Sequence, residues 1–150
     1  MYQLQVSATE LIRQPCAAHT LNLAIEDVVM HSDLGKEIYN NIQFLLRNVP
    51  KGTVREGYNK KLETIRWMSL FECAQFIYAN SNKYINSLNV DVINAYIRVE
   101  QIIPWAMLNQ ILLILQKFLL HIEADLSSIA NIIPHFLECC DALSTIENKV

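Results

Sequence analysis

The chain has 150 residues, of which 52% are apolar and 18% charged, enough for a packed core and too few charges for a disordered tail. A formal net charge of −3 excludes chain-wide attraction to nucleic acid, so any such contact must come from a local patch. The four cysteines, Cys16, Cys73, Cys139 and Cys140, lack the spacing of a disulfide framework, which favours a reducing compartment.

The first ten residues, MYQLQVSATE, carry no basic stretch followed by an apolar run and so do not read as a signal peptide. Cytosol or nucleus is the expected location. With only three glycines and four prolines and few alternating runs, helix is the expected element throughout. Ala17, Leu21, Ala24 and Val28 follow one face of a first helix, which places His19 and Glu26 on the opposite side. Asp33 can cap a second helix through Leu34, Ile38, Ile42, Leu45 and Leu46 that ends before Pro50.

Val49 to Asn59, with Pro50, Gly52 and Gly57, reads as a loop. Lys60 to Asn80 then reads as helix, with Trp67, Leu70, Ala74 and either Ile77 or Tyr78 on one side. Ala79 to Asn89, "ANSNKYINSLN", weakens helix propensity and predicts a break before a short helix from Asp91 to Val99. Beyond it, Leu108, Ile111, Leu115, Phe118 and Ile122 form one apolar seam, and Ile129, Ile133, Phe136, Cys140 and Leu143 form a second. Seams of this spacing pack helix on helix, and the polar Glu123 to Ser128 between them predicts an antiparallel hairpin. Ile102 to Ile122 is nearly long enough to span a membrane. Asn109, Gln110, Gln116 and Lys117 interrupt it, so a core helix is the reading and no membrane partner is expected.

Cys16 and His19 stand three residues apart where the first helix begins. Such a pair can be half a zinc site, a nucleophile with its base, or two residues of a helix start. Zinc takes four ligands, and no second C-x-x-C or H-x-x-H pair is present; His135 with Cys139 and Cys140 has the wrong spacing for a finger. A nucleophile pair lacks an evident orienting acid and oxyanion hole. The expectation is therefore no bound metal and no cofactor.

The stretch Cys16 to Ala24, "CAAHTLNLA", closely resembles the C-x-x-H-x-L-N-L signature of the hAT superfamily of DNA transposases. Thr64-Ile65-Arg66-Trp67-Met68-Ser69 resembles that family's T-R-W-x-S signature with Ile65 inserted, and Pro104 to Leu120 with Ile132 to Pro134 is loosely similar to the apolar helices that follow. The resemblance implies a mainly α chain: residues 1–31 as the end of an RNase H-like core carrying the Cys16/His19 motif, which helps shape the active site. Residues 32–150 would be a partial all-helical insertion region ending in the helical hairpin. It also implies that the Trp67 indole stacks on a base flipped out of hairpin DNA while Arg66 holds phosphate.

Local charge is compatible with that role. Between Arg47 and Arg66 stand six basic residues, Arg47, Lys51, Arg55, Lys60, Lys61 and Arg66, against Glu56 and Glu63. A solvated basic loop has the same composition, and Trp67 at helical spacing can equally be a core aromatic. The sequence departs from the family where its catalysis resides. No aspartate precedes Asp27, and no later acid matches a catalytic position, so the carboxylates that would hold Mg²⁺ or Mn²⁺ in the full-length family enzyme are missing. The reading is a non-catalytic fragment or derivative of a transposable element's enzyme, domesticated and nuclear, with a cytoplasmic location as the alternative. DNA, especially hairpin or distorted DNA, and a second copy or another transposase-like chain are the expected partners. The rival reading is a helical protein-interaction module with no DNA role.

Overall fold

A computed structural model of the chain describes residues 17–53, 67–124 and 129–147. These residues form seven helices: α1 Ala17–His31, α2 Asp33–Arg47, α3 Trp67–Ala79, α4 Ser81–Ile85, α5 Val90–Ile102, α6 Trp105–Ala124 and α7 Ile129–Glu147. The mainly helical expectation holds. No strand occurs among the described residues, so they hold no part of an RNase H-like sheet; of residues 1–31, expected as the end of such a core, 17–31 are helical and 1–16 lie outside the description. The local reason is plain in α1, where the apolar-polar alternation of Thr20 to Leu23 is too short to make a half-buried strand and is followed by the apolar pairs Ala24-Ile25 and Val28-Val29 at helical spacing.

α1 and α2 meet at a tight corner. Ser32 is the N-cap of α2, its Oγ accepting from the Gly35 amide at 3.2 Å; Asp33, expected as the cap, lies one residue further on, where its charge faces the positive end of the helix dipole. A Cβ on Gly35 would lie 2.7 Å from the Val29 carbonyl oxygen. The two helices approach so closely that only glycine fits. The apolar face of α1 is also rotated from the expected one: Val28 is 68% exposed and Ala24 is exposed, while Ile25 packs against the core.

α2 packs on α5 and α3 packs on α6, with α6 also touching α1 and α7. Ile42 and Leu45 of α2, Leu70, Ala74 and Ile77 of α3, and Val92 and Val99 of α5 meet in the core. An aromatic ladder crosses it. Tyr84 stacks on Tyr96 at 6.2 Å between ring centroids, Tyr96 stacks on Trp105 at 5.1 Å, and the Trp105 indole donates to the Tyr96 carbonyl at 3.2 Å. Each large ring is buried and its polar atom has a partner, which removes the penalty of burying it. On the surface, Arg98 of α5 pairs with Glu37 of α2.

The break expected after Ala79 is present as the short α4 and the non-helical Ser87 to Asn89. α5 runs further than expected, from an Asn89 cap whose Oδ1 accepts from Asp91 N–H at 3.0 Å to Ile102. α6 begins after Pro104, and the Glu100 carboxylate accepts its first amide, from Trp105, at 2.9 Å. By length and composition α6 could cross a membrane. Here Trp105, Leu108, Leu112, Phe118, Leu119 and Ile122 are buried along it.

α7 packs on α6, and the paired rings Phe118–Phe136 and His121–His135 run in opposite senses along the two helices, as an antiparallel hairpin requires. Its seam differs from the expected one. Leu143 packs against the core as expected, but Ile132 and Cys139 face it too, while Ile133 and Phe136 are each 53% exposed and Cys140 is exposed. Apolar residues occupy two adjacent stripes of α7, and the one carrying His135 is the buried one.

Candidate nucleic-acid interface

α2 stops at Arg47 because Asn48 closes it: both its backbone N–H and its side-chain Nδ2 donate to the Phe44 carbonyl, at 3.1 and 2.9 Å. Pro50 then forbids continuation, and Gly52 adopts φ +78°, a left-handed turn open to glycine. Thr53 folds back, its Oγ1 donating to the Pro50 carbonyl at 2.8 Å. Lys83 of α4 reaches across and donates to the Gly52 carbonyl. This bond ties the turn after α2 to a helix thirty-one positions further along the chain.

Between the two lies a cleft of about 710 Å³. Asn48 and Lys51 form one wall; Asn82, Lys83, Asn86 and Asn89 form the other, with Leu88 at the rim and Val92 beneath. Two lysines and no carboxylate line it. Asn86 Nδ2 donates to the Asn82 carbonyl at 2.8 Å, so the amide is held in place with its oxygen still able to accept. Most of the exposed lining is apolar, Val49, Pro50 and Leu88 among it, and the two ammonium groups and the amides set in that surface can hold phosphate and bond a base or sugar edge.

Of the residues expected to contact DNA, Lys51 is in this cleft and exposed. Arg55, Lys60, Lys61 and Arg66 lie outside the described residues. Trp67 opens α3, and His19 lies in the first turn of α1; the side chains of both fall outside the description, as does Cys16 altogether. Lys83 and the asparagines at 82, 86 and 89 were not expected. Asn86 and Asn89 lie outside α4, in the helix break and at the cap of α5, so no helical spacing announces the group.

A second cluster lies between α6 and α7, in a cleft of about 210 Å³. His121 and His135 stack with ring centroids 4.2 Å apart and planes 8° from parallel, beside Lys117, Glu138 and Cys139. His135 Nδ1 is 3.6 Å from the Glu138 carboxylate, beyond hydrogen-bond length. Burial, and secondarily Cys140, raises the Cys139 thiol above its ordinary 9.0, the opposite of what a nucleophile needs. Ring nitrogens carry their lone pairs in the ring plane, so parallel stacked imidazoles do not converge on one ion. Among the described residues no group of three or more His, Cys, Asp or Glu side chains is arranged to hold a metal.

Comparison with known family models, curated proteins and solved structures finds no match to this chain.

Proposed function

We propose that this chain is a non-catalytic, helical DNA-contacting module of the hAT-transposase type. The observation that supports the reading best is the cleft in which Lys51, from the basic stretch, faces Lys83 and three asparagines with no carboxylate among the lining residues. The helical insertion region is the part of that family to which helices α2 to α7 correspond. The assignment of residues 1–31 to the end of an RNase H-like core rests on the Cys16 to Ala24 signature alone. DNA contact extends from Lys51 through Arg55, Lys60 and Lys61 to Arg66 and Trp67, with the backbone held by cations and an unpaired base stacked on the indole. No phosphoryl transfer is assigned to the chain, because its acids match none of the family's catalytic positions, and the reading places it in the nucleus.

Fluorescence anisotropy with labelled hairpin and duplex DNA of equal length tests this reading. Binding of both, with the hairpin favoured and the preference lost in Trp67→Ala, is the expected result. Absence of binding to either at low salt would remove the DNA role.

A second reading, association through apolar helices, is favoured by one feature: Ile133, Phe136 and Leu137 of α7 are each more than half exposed on neighbouring turns. Contiguous apolar surface of this kind marks contact sites. Sedimentation that shows concentration-dependent, salt-insensitive self-association, abolished by Phe136→Ser, supports it; a monomer at all concentrations removes the self-association.

A further inference from the structure

Leu88 is the most exposed large apolar residue among those described, at 103% of its reference area. The backbone on either side of it is held by hydrogen bonds. On its N-terminal side the Ser87 amide donates to the Tyr84 carbonyl at 3.3 Å, and on its C-terminal side the Asn89 amide donates to Ser87 Oγ at 3.2 Å. Asn89 then caps α5 through its Oδ1, and its carbonyl accepts from Val92 N–H at 3.1 Å. Beneath the corner, Tyr84 and Val92 are buried. Hydrogen bonds on both sides thus hold the backbone of the corner between α4 and α5, from which Leu88 projects into solvent.

The corner is the rim of the cleft that holds Lys51 and Lys83. Asp91, the nearest acid in sequence, is not among the cleft's lining residues. We propose that Leu88 is a wedge: with DNA phosphates held by Lys51 and Lys83, its isobutyl group enters between two stacked bases and parts them. This deepens the DNA-binding reading and rests on it. Apolar side chains inserted at base steps unstack and kink a duplex, and the step opens most readily where pairing or stacking is already weak. A backbone already anchored lowers the ordering cost of insertion. The neighbouring amides of Asn86 and Asn89 are placed to bond base edges or sugar exposed when the step opens. A leucine carries no charge, so it adds selectivity for deformable DNA and little to overall affinity.

The experiment uses the full chain and duplexes carrying 2-aminopurine beside a mismatch, since this base brightens when unstacked. Wild type is expected to raise the emission on binding. Leu88→Ala should bind the same duplex within about threefold, since no phosphate contact is removed, yet give no rise in emission; Leu88→Met should restore the rise. The exposed position means that folding is unchanged in both, which circular dichroism checks. Binding by Leu88→Ala with an undiminished emission rise overturns the wedge while leaving the DNA reading intact. So does a Leu88→Ala variant whose emission is normal but whose self-association is lost, since Leu88 would then serve a protein contact. No binding of any duplex by wild type overturns the wedge together with the DNA reading.

Discussion

Tyr84 donates its phenolic hydrogen to the carbonyl oxygen of Leu45, thirty-nine positions earlier in the chain, at 3.3 Å. Both residues are fully buried, and the bond fastens α4 to the last turn of α2. It therefore fixes the separation of the two walls that carry Lys51 and Lys83. Tyr84→Phe keeps the ring and deletes the bond, leaving a buried carbonyl with one partner fewer. A loss of about 1 kcal/mol in urea denaturation is expected. A stability equal to wild type would show that the bond does not hold the walls together.

The close approach of α2 to α1 predicts an inverted response to a helix-favouring substitution. Gly35→Ala gains at most about 1 kcal/mol of helix propensity. The new methyl meets the Val29 carbonyl oxygen at 2.7 Å and its Cα at 3.0 Å, both of them backbone atoms that do not move aside cheaply. Overpacking costs about 1 to 3 kcal/mol, so net destabilisation is expected. A raised melting temperature would contradict the packing of α1 on α2.

The packing of α6 and α7 reverses the order that spacing predicts for two positions, since Phe136 stands in an expected seam and Leu119 does not. Leu119, buried on α6, should lose about 2 to 5 kcal/mol as Leu119→Ala. Phe136 is half exposed and only tilts against Phe118 with centroids 6.1 Å apart. Phe136→Ala should therefore cost no more than about 1.5 kcal/mol, the scale of one aromatic contact. Equal losses would restore the seam through Phe136.

Titration gives a further check. Burial raises the hydroxyls of Tyr39 and Tyr96 above their ordinary 10.0, and burial raises Cys139 above 9.0. The folded chain thus holds these protons more tightly than the unfolded chain. The stability that this contributes is fully present below the unfolded values. It is lost as pH rises from about 9 for the cysteine, and from about 10 for the tyrosines, toward the raised folded values. Urea midpoints measured from pH 8 to 11 should fall over that range, and Tyr96→Phe should flatten the fall; a level profile would contradict the burial. Among the described thiols, exposed Cys140 should be alkylated ahead of Cys139 and Cys73, which are both buried.

The parts of this fold that sequence revealed are those where one apolar stripe stands alone. Ile42 and Leu45 in α2, and Leu70, Ala74 and Ile77 in α3, are buried as their spacing requires. α1 and α7 were misplaced in rotation because each carries two adjacent apolar stripes, 24/28 against 25/29 and 133/136/140 against 132/139, with the expected Leu143 on the core side. Periodicity gives the same signal for both, and only the neighbouring helix decides. The cleft was half legible. Lys51 belongs to a visibly basic stretch, whereas Lys83 joins it through a tertiary hydrogen bond that no local pattern announces.

Under the proposed function, a nucleic acid sits in the cleft between Lys51 and Lys83. The salt dependence of duplex DNA affinity, measured for wild type and for the Lys51→Ala, Lys83→Ala double variant, tests it most directly. Each phosphate neutralised contributes a slope of about −0.9 in log affinity against log salt, so the double variant should bind more weakly with a slope shallower by roughly 2. An unchanged slope and affinity in the double variant would contradict the account.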